Sequence, residues 1–335
     1  MQKILNPDIY NRKECLEDIT KIFYMNNFKQ TAGLVLPSDM GFYLQDHTLH
    51  IKMSCKGVLK DMLENTSAFE SWAICLKAKH PDLIQKVHVD WEPFDKDTLN
   101  PKERGHYNRF LYRLVKFTEN FSWAGVNPTV DDSFYDELND WVLNYPKAES
   151  TSSTNKNKNA EAHLERSLVV EMKNFFNVAD HQLPVGLFYK EVSKETARTP
   201  GNNSQIDLWG IKGKEKSTLF IFELKNDVNT EAGILTELLF YTNVMKDFVD
   251  HKFSYPESFS REKKHFRSSD ELHSYISGNK INSIQGILLA DKLHSAITTE
   301  ALKLLKSNKN GVSYRWITVE DFRSIIFNNE FGKLY

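Results

Sequence analysis

Gln205-Ile206-Asp207-Leu208-Trp209-Gly210 and Thr218-Leu219-Phe220-Ile221-Phe222-Glu223-Leu224-Lys225 are the two stretches that decide the reading of this chain. Both are apolar runs of strand length, and each carries charge. An unpaired carboxylate in a core strand is expensive, so charge placed there has a use. Glu223 and Lys225 are two residues apart and point to one face of their strand. Leu224, between them, points into the core and is expected to leave its backbone carbonyl free. Asp207, Glu223 and that carbonyl are hard oxygen donors suited to Mg2+, with Mn2+ as a substitute. Such an ion stabilises charge on a phosphate and helps to generate hydroxide. Lys225 could orient the attacking water or neutralise the charged intermediate.

The flanking order is specific. Residues 161–176 read as an amphipathic helix, with Leu164, Leu168, Met172, Phe175 and Phe176 at helical spacing. Leu187–Val192 reads as a first strand, leading through a polar loop to Asp207. Thr230–Met245 reads as a second helix with Thr230 as N-cap. Ile284–Ala290 reads as a buried strand, 296–305 as a helix and Val312–Thr318 as a last strand. The order α-β-β-β-α-β-α-β, with its D…ExK residues, resembles the PD-(D/E)XK nuclease superfamily over residues 160–335, in its RecB-like and mismatch-endonuclease-like branch. The resemblance implies a restriction-endonuclease-like core, a mixed sheet flanked by helices. It assigns Asp207, Glu223 and Lys225 to catalysis, and it matches Glu165 to the acid on the superfamily's first helix. Glu237 and Tyr241 resemble the QxxxY motif in a supporting role.

The chain also departs from that pattern. Ile206, not proline, precedes Asp207; Glu237 replaces a glutamine; Gln285 stands where a basic residue is common. Each residue has an ordinary reading too. Asp207, Glu223 and Lys225 can be solvated strand ends, Glu165 a surface acid on a helix, and Tyr241 a core residue.

Composition sets the outer limits. The 335 residues allow two domains, and 40% apolar with 26% charged residues is a globular balance. No apolar run reaches membrane length, so no membrane contact is expected. Without a signal-peptide core, and with Cys15, Cys55 and Cys75 scattered, the expected location is cytoplasmic. Three cysteines, none beyond residue 160, exclude a four-cysteine iron–sulfur cluster. Net charge is −2, with 18 basic and 22 acidic residues in 1–150, which argues against a strong sequence-blind grip on long duplexes.

Residues 149–160 are polar and read as a flexible linker. They separate an N-terminal α+β domain (1–148) from the nuclease-like domain (161–335), which a polar insertion (254–280) interrupts. In that insertion Lys263, Lys264 and Arg267 form a candidate nucleic-acid contact, although the sequence favours a solvated insertion. In the N-terminal domain, 32–37, 41–45, 48–53 and 86–91 read as strands. Residues 103–123 read as a long helix, whose Arg104, Arg109, Arg113 and Lys116 suit either nucleic acid or a packed helix with a solvated face. Residues 136–143 read as a last helix.

The expected function is metal-dependent hydrolysis of nucleic-acid phosphodiesters. DNA is favoured over RNA, and restriction, phage defence or repair is the setting suggested by fold analogy alone. The alternatives are a non-catalytic binding module on the same fold and a partner-gated, toxin-like subunit. The N-terminal domain is expected to target or regulate the enzyme, or to join it to a second copy or a partner protein.

Overall fold

The computed structural model describes residues 37, 40–62, 65–146, 160–200, 204–225, 231–262 and 265–334. The chain forms two compact units that alternate along the sequence. The first takes in the described residues up to Phe134, those within Thr230–Glu237, and His294–Asn310; the second takes in Tyr135–Asn229, Leu238–Leu293 and Gly311–Tyr335. The expected linker lies outside the described residues except for Ala160, which opens a helix.

In the first unit, β1 (Met40–Gln45) and β2 (Thr48–Met53) form a hairpin across Asp46 and His47. Both turn residues have positive φ, as a two-residue hairpin loop requires. Leu49, Ile51 and Met53 alternate into the core, as the sequence pattern predicts. The strands β3 (Lys86–Asp90) and β4 (Ala124–Asn127) add in parallel, in the order β1-β2-β3-β4. Their crossovers contain the helices Phe69–Lys79 and Pro101–Asn120. Asn100 caps the second helix, its side chain accepting from the amides of Lys102 and Glu103 at 3.0 Å.

Three basic residues of that helix turn inward, while Lys102 and Arg104 stay exposed. Arg109, Arg113 and Lys116 are 2%, 3% and 6% exposed. Arg113 donates to Glu70 at 2.7 Å and to the Ser67 carbonyl at 2.6 Å. Arg109 donates to Asp61 at 2.8 Å. Of the two readings of this helix, the structure therefore selects the packed one. Its cations neutralise internal carboxylates and are not laid out for phosphates.

The second unit is built on a mixed five-stranded sheet, in the order β11-β10-β9-β8-β6. The small ladder between β5 (Trp141–Leu143) and β7 (Leu187–Tyr189) stands apart from it. The main strands are β6 (Val178–Pro184), β8 (Gln205–Lys212), β9 (Ser217–Lys225), β10 (Ile281–Ala290) and β11 (Ser313–Ile317). Strand β8 is antiparallel to both β6 and β9, while β10 and β11 continue in parallel.

Two expectations are corrected here. The run at Leu187 is not the first strand of the sheet; it pairs with β5, and the polar segment 178–184 takes that place. The helix expected over 136–143 is a shorter one, Asp132–Leu138, followed by β5, because Asn139 and Asp140 make a turn.

The helix Ala160–Lys173 packs Leu168, Val169 and Met172 into one core with Phe222, Leu224 and Phe322. Residues 254–280 are less open than a polar insertion implies. They form helices Glu257–Arg261 and Ser269–Ser277 and bury Tyr255 and Phe259, whose rings stack at 4.4 Å. Among the described residues no helix is long and apolar enough to cross a membrane.

Candidate functional site

The β8–β9 ladder ends at the pair Leu208–Phe222, and Asp207 and Glu223 are the next residues beyond it, close enough for the Glu223 charge to act on Asp207. Leu208, Phe222 and Leu224 enter the core, so Asp207, Glu223 and Lys225 share the opposite face. Both strands bury residues on both faces, and the three charged residues interrupt the face opposite Leu208, Phe222 and Leu224.

Asp207 accepts a 2.8 Å hydrogen bond from the Leu224 amide, so Leu224 serves the site through its nitrogen as well as lying in the core. Lys225 Nζ donates to Glu223 Oε1 at 2.5 Å. Glu223 is 1% exposed, whereas Asp207 and Lys225 keep part of their surface open. Burial pushes the Asp207 carboxyl well above the usual carboxylate range, and the neighbouring Glu223 charge pushes it further. Lys225 and the Leu224 amide oppose that rise, and Glu165 adds to it.

Glu165 is buried on the helix Ala160–Lys173. Burial raises its pKa, while His181, Gln182 and Arg267 act to lower it. Gln182 Nε2 donates to Glu165 Oε2 at 3.3 Å, and Glu165 Oε1 is buried without a hydrogen-bond partner among the described residues. Gln182 lies between the pairs His181–Leu208 and Leu183–Ile206, level with Asp207 at a break in the β6–β8 pairing where its own φ is 49°. Gln182, Asp207 and Glu223 thus sit at neighbouring positions of three adjacent strands, where the ladder pairing is interrupted or ends.

Sequence reasoning did not single out Gln182. The usable signal was a polar triplet, Asp180-His181-Gln182, between apolar residues, the same signature that drew attention to Asp207. Arg267 reaches this region, donating from Nη1 to the Gln182 carbonyl at 2.7 Å. Lys263 and Lys264 lie outside the described residues. Glu237 and Tyr241 share the helix Ile234–Val249 and are 7% and 3% exposed. Glu237 belongs to the first unit and Tyr241 to the second, where its ring packs edge-on against Phe240. Gln285 is 4% exposed on β10, inside the sheet.

Two neighbouring carboxylates, with one raised by their mutual repulsion, are a place where a cation lowers the energy. The donors are hard oxygens and fit Mg2+ or Mn2+ by type. Their number is small. Among the described residues no group of three or more His, Cys, Asp or Glu side chains is arranged to hold a metal. With Asp207, Glu223 and the Leu224 carbonyl as ligands, water and phosphate oxygens would have to complete the shell.

No protein-family model, curated protein or solved structure matches this chain. The functional reading therefore rests on the site itself.

Proposed function

We propose that this protein is a metal-dependent phosphodiesterase acting on nucleic acid, with DNA as the favoured substrate and endonucleolytic cleavage in restriction, phage defence or repair as its setting. The observation that carries the reading is the placing of Asp207 and Glu223 just beyond the end of the β8–β9 ladder, with Lys225 bonded to Glu223 and the Leu224 amide fixing Asp207. A surface ion pair has no need of two neighbouring carboxylates in a buried sheet; phosphoryl-transfer chemistry does.

Asp207, Glu223 and the Leu224 carbonyl would hold Mg2+ or Mn2+, which supplies positive charge to the phosphate and acidifies a bound water. The chain's own groups do the rest. The Leu224 amide fixes the Asp207 carboxylate. Lys225, two residues from Glu223, is within reach of a water or a phosphate oxygen on the same face. Glu165 and Arg267 flank the two carboxylates, one acidic and one basic. The PD-(D/E)XK resemblance agrees with these roles.

A second reading draws on a specific contact. The 2.5 Å pairing of Lys225 with Glu223 closes part of the site, which suits a module that binds nucleic acid or protein without cutting. One experiment separates the two readings. Supercoiled plasmid, single-stranded circular DNA and a structured RNA are incubated with Mg2+ or Mn2+, beside a Glu223→Ala/Lys225→Ala double variant. Hydrolysis expects metal-dependent cutting that the double variant lacks. Equal products from both proteins, or none from either, would favour the non-catalytic reading.

A further inference from the structure

Three non-glycine residues in left-handed backbone converge beside the carboxylates just described. Gln182 has φ 49°, Arg267 φ 53° and Ser268 φ 51°. L-residues avoid this region, and such strain persists only where the surroundings hold it; it collects at functional sites. Here the hold is visible. Arg267 donates to the Gln182 carbonyl at 2.7 Å, and Ser268 Oγ donates to Asp180 Oδ2 at 3.0 Å. Two consecutive residues of the 254–280 segment are thus fastened to alternate residues of β6.

The fastening delivers one group. Among the described residues no carboxylate stands within ion-pair distance of Arg267, and one guanidinium nitrogen is used on a neutral carbonyl. Its charge is nevertheless felt at Glu165. Lys225, by contrast, is engaged by Glu223. Arg267 is therefore a half-buried cation beside acidic groups, presented by strained backbone. A guanidinium suits a phosphate, because its planar fork matches two oxygens at once.

We infer that Arg267 is the phosphate-binding cation of this site, and that Gln182 is the positioning residue that sets it. Gln182 lies level with Asp207 at a break in the strand pairing, steadies Glu165 through its amide and steadies Arg267 through its carbonyl. One residue thus links the acidic and basic sides of the site. The inference rests on the phosphodiesterase reading for its catalytic consequence, but not for the phosphate contact itself.

The test uses the full chain with Arg267→Ala, Arg267→Lys, Gln182→Gly and Arg267→Ala/Gln182→Gly, beside Glu223→Ala. Two quantities are read: steady-state cleavage with Mg2+ or Mn2+, and anisotropy of a fluorescein-labelled oligonucleotide in Ca2+. Arg267→Ala should lower kcat/KM about 100-fold and weaken oligonucleotide binding with a shallower salt dependence; Arg267→Lys should recover part of both. Gln182→Gly removes the amide while relieving the left-handed backbone. It should keep the melting temperature and lose roughly 10-fold in kcat, and it should add little to Arg267→Ala.

Parent-like binding and cleavage by Arg267→Ala would overturn the inference. So would a Gln182→Gly loss that tracks lowered stability or multiplies with that of Arg267→Ala. Binding through Arg267 with no cleavage by the parent would uphold the contact and refute hydrolysis. Cleavage lost in Glu223→Ala but intact in Arg267→Ala would do the reverse. A parent that neither binds nor cleaves overturns both.

Discussion

Replacing Asp207 by asparagine should make the protein more stable at neutral pH, and the gain should disappear in acid. The substitution keeps an oxygen to accept the 2.8 Å bond from Leu224 and removes only the charge. Two unit charges about 5 Å apart repel by about 3 kcal/mol at an effective dielectric of about 20. Lys225 offsets part of this, so the expected gain is about 1–3 kcal/mol. The sign follows from the raised pKa of Asp207. The folded chain holds that proton more tightly than the unfolded chain does. Stability present below the ordinary aspartate range is therefore lost as pH rises through the raised folded value. The parent should weaken over that window, while Asp207→Asn should not. Urea unfolding at pH 4 and pH 7 without divalent ions measures the gap, and added Mg2+ should narrow it by stabilising the parent alone. A variant less stable than the parent, or a gap that does not change with pH, would refute the reasoning about neighbouring carboxylates.

Lys225→Met strips the ammonium from a carboxylate that is 1% exposed, and should cost about 3 kcal/mol; Glu223→Gln added to it should return most of that loss in a double-mutant cycle. An unfolding midpoint for Lys225→Met equal to the parent's would show that the pair contributes nothing. In the first unit, Arg113→Met should cost about 3–5 kcal/mol, because Glu70, 4% exposed, would lose its guanidinium partner. That loss should persist in 1 M salt, where a surface pair would be screened; a salt-sensitive loss would place Arg113 in solvent.

The parts of the fold legible in the sequence are those where local pattern and tertiary role coincide. Strands β8 and β9 could be read because both are apolar runs that carry charge, and the two-residue spacing placed Glu223 and Lys225 on one face. Strand β6 could not, since Asp180, His181 and Gln182 interrupt its apolar residues, while Leu187-Phe188-Tyr189 looks more like a sheet strand than it is. The helix Val319–Phe327 was readable in principle: Thr318 caps it through Asp321, and Val319, Phe322 and Ile325 form its buried face. Arg109 and Arg113 left two readings open for a different reason. Charge on a helix suggests solvent, and only long-range partners such as Asp61 and Glu70 reveal that it is internal. The Gln182–Arg267 contact, between residues 85 apart, leaves no local trace.

The alternation of the two units along the chain bears on the order in which the protein is made. The first unit includes the helix Thr299–Leu305, which packs on Phe69–Lys79, and Thr236, whose hydroxyl lies 2.9 Å from that of Ser71. A nascent chain ordinarily completes its leading domain first. Here the leading unit must wait until residues near 310 have left the ribosome, when most of the second unit has already emerged. The two units should therefore finish folding almost together, since the last segment of the first, His294–Asn310, falls between segments of the second.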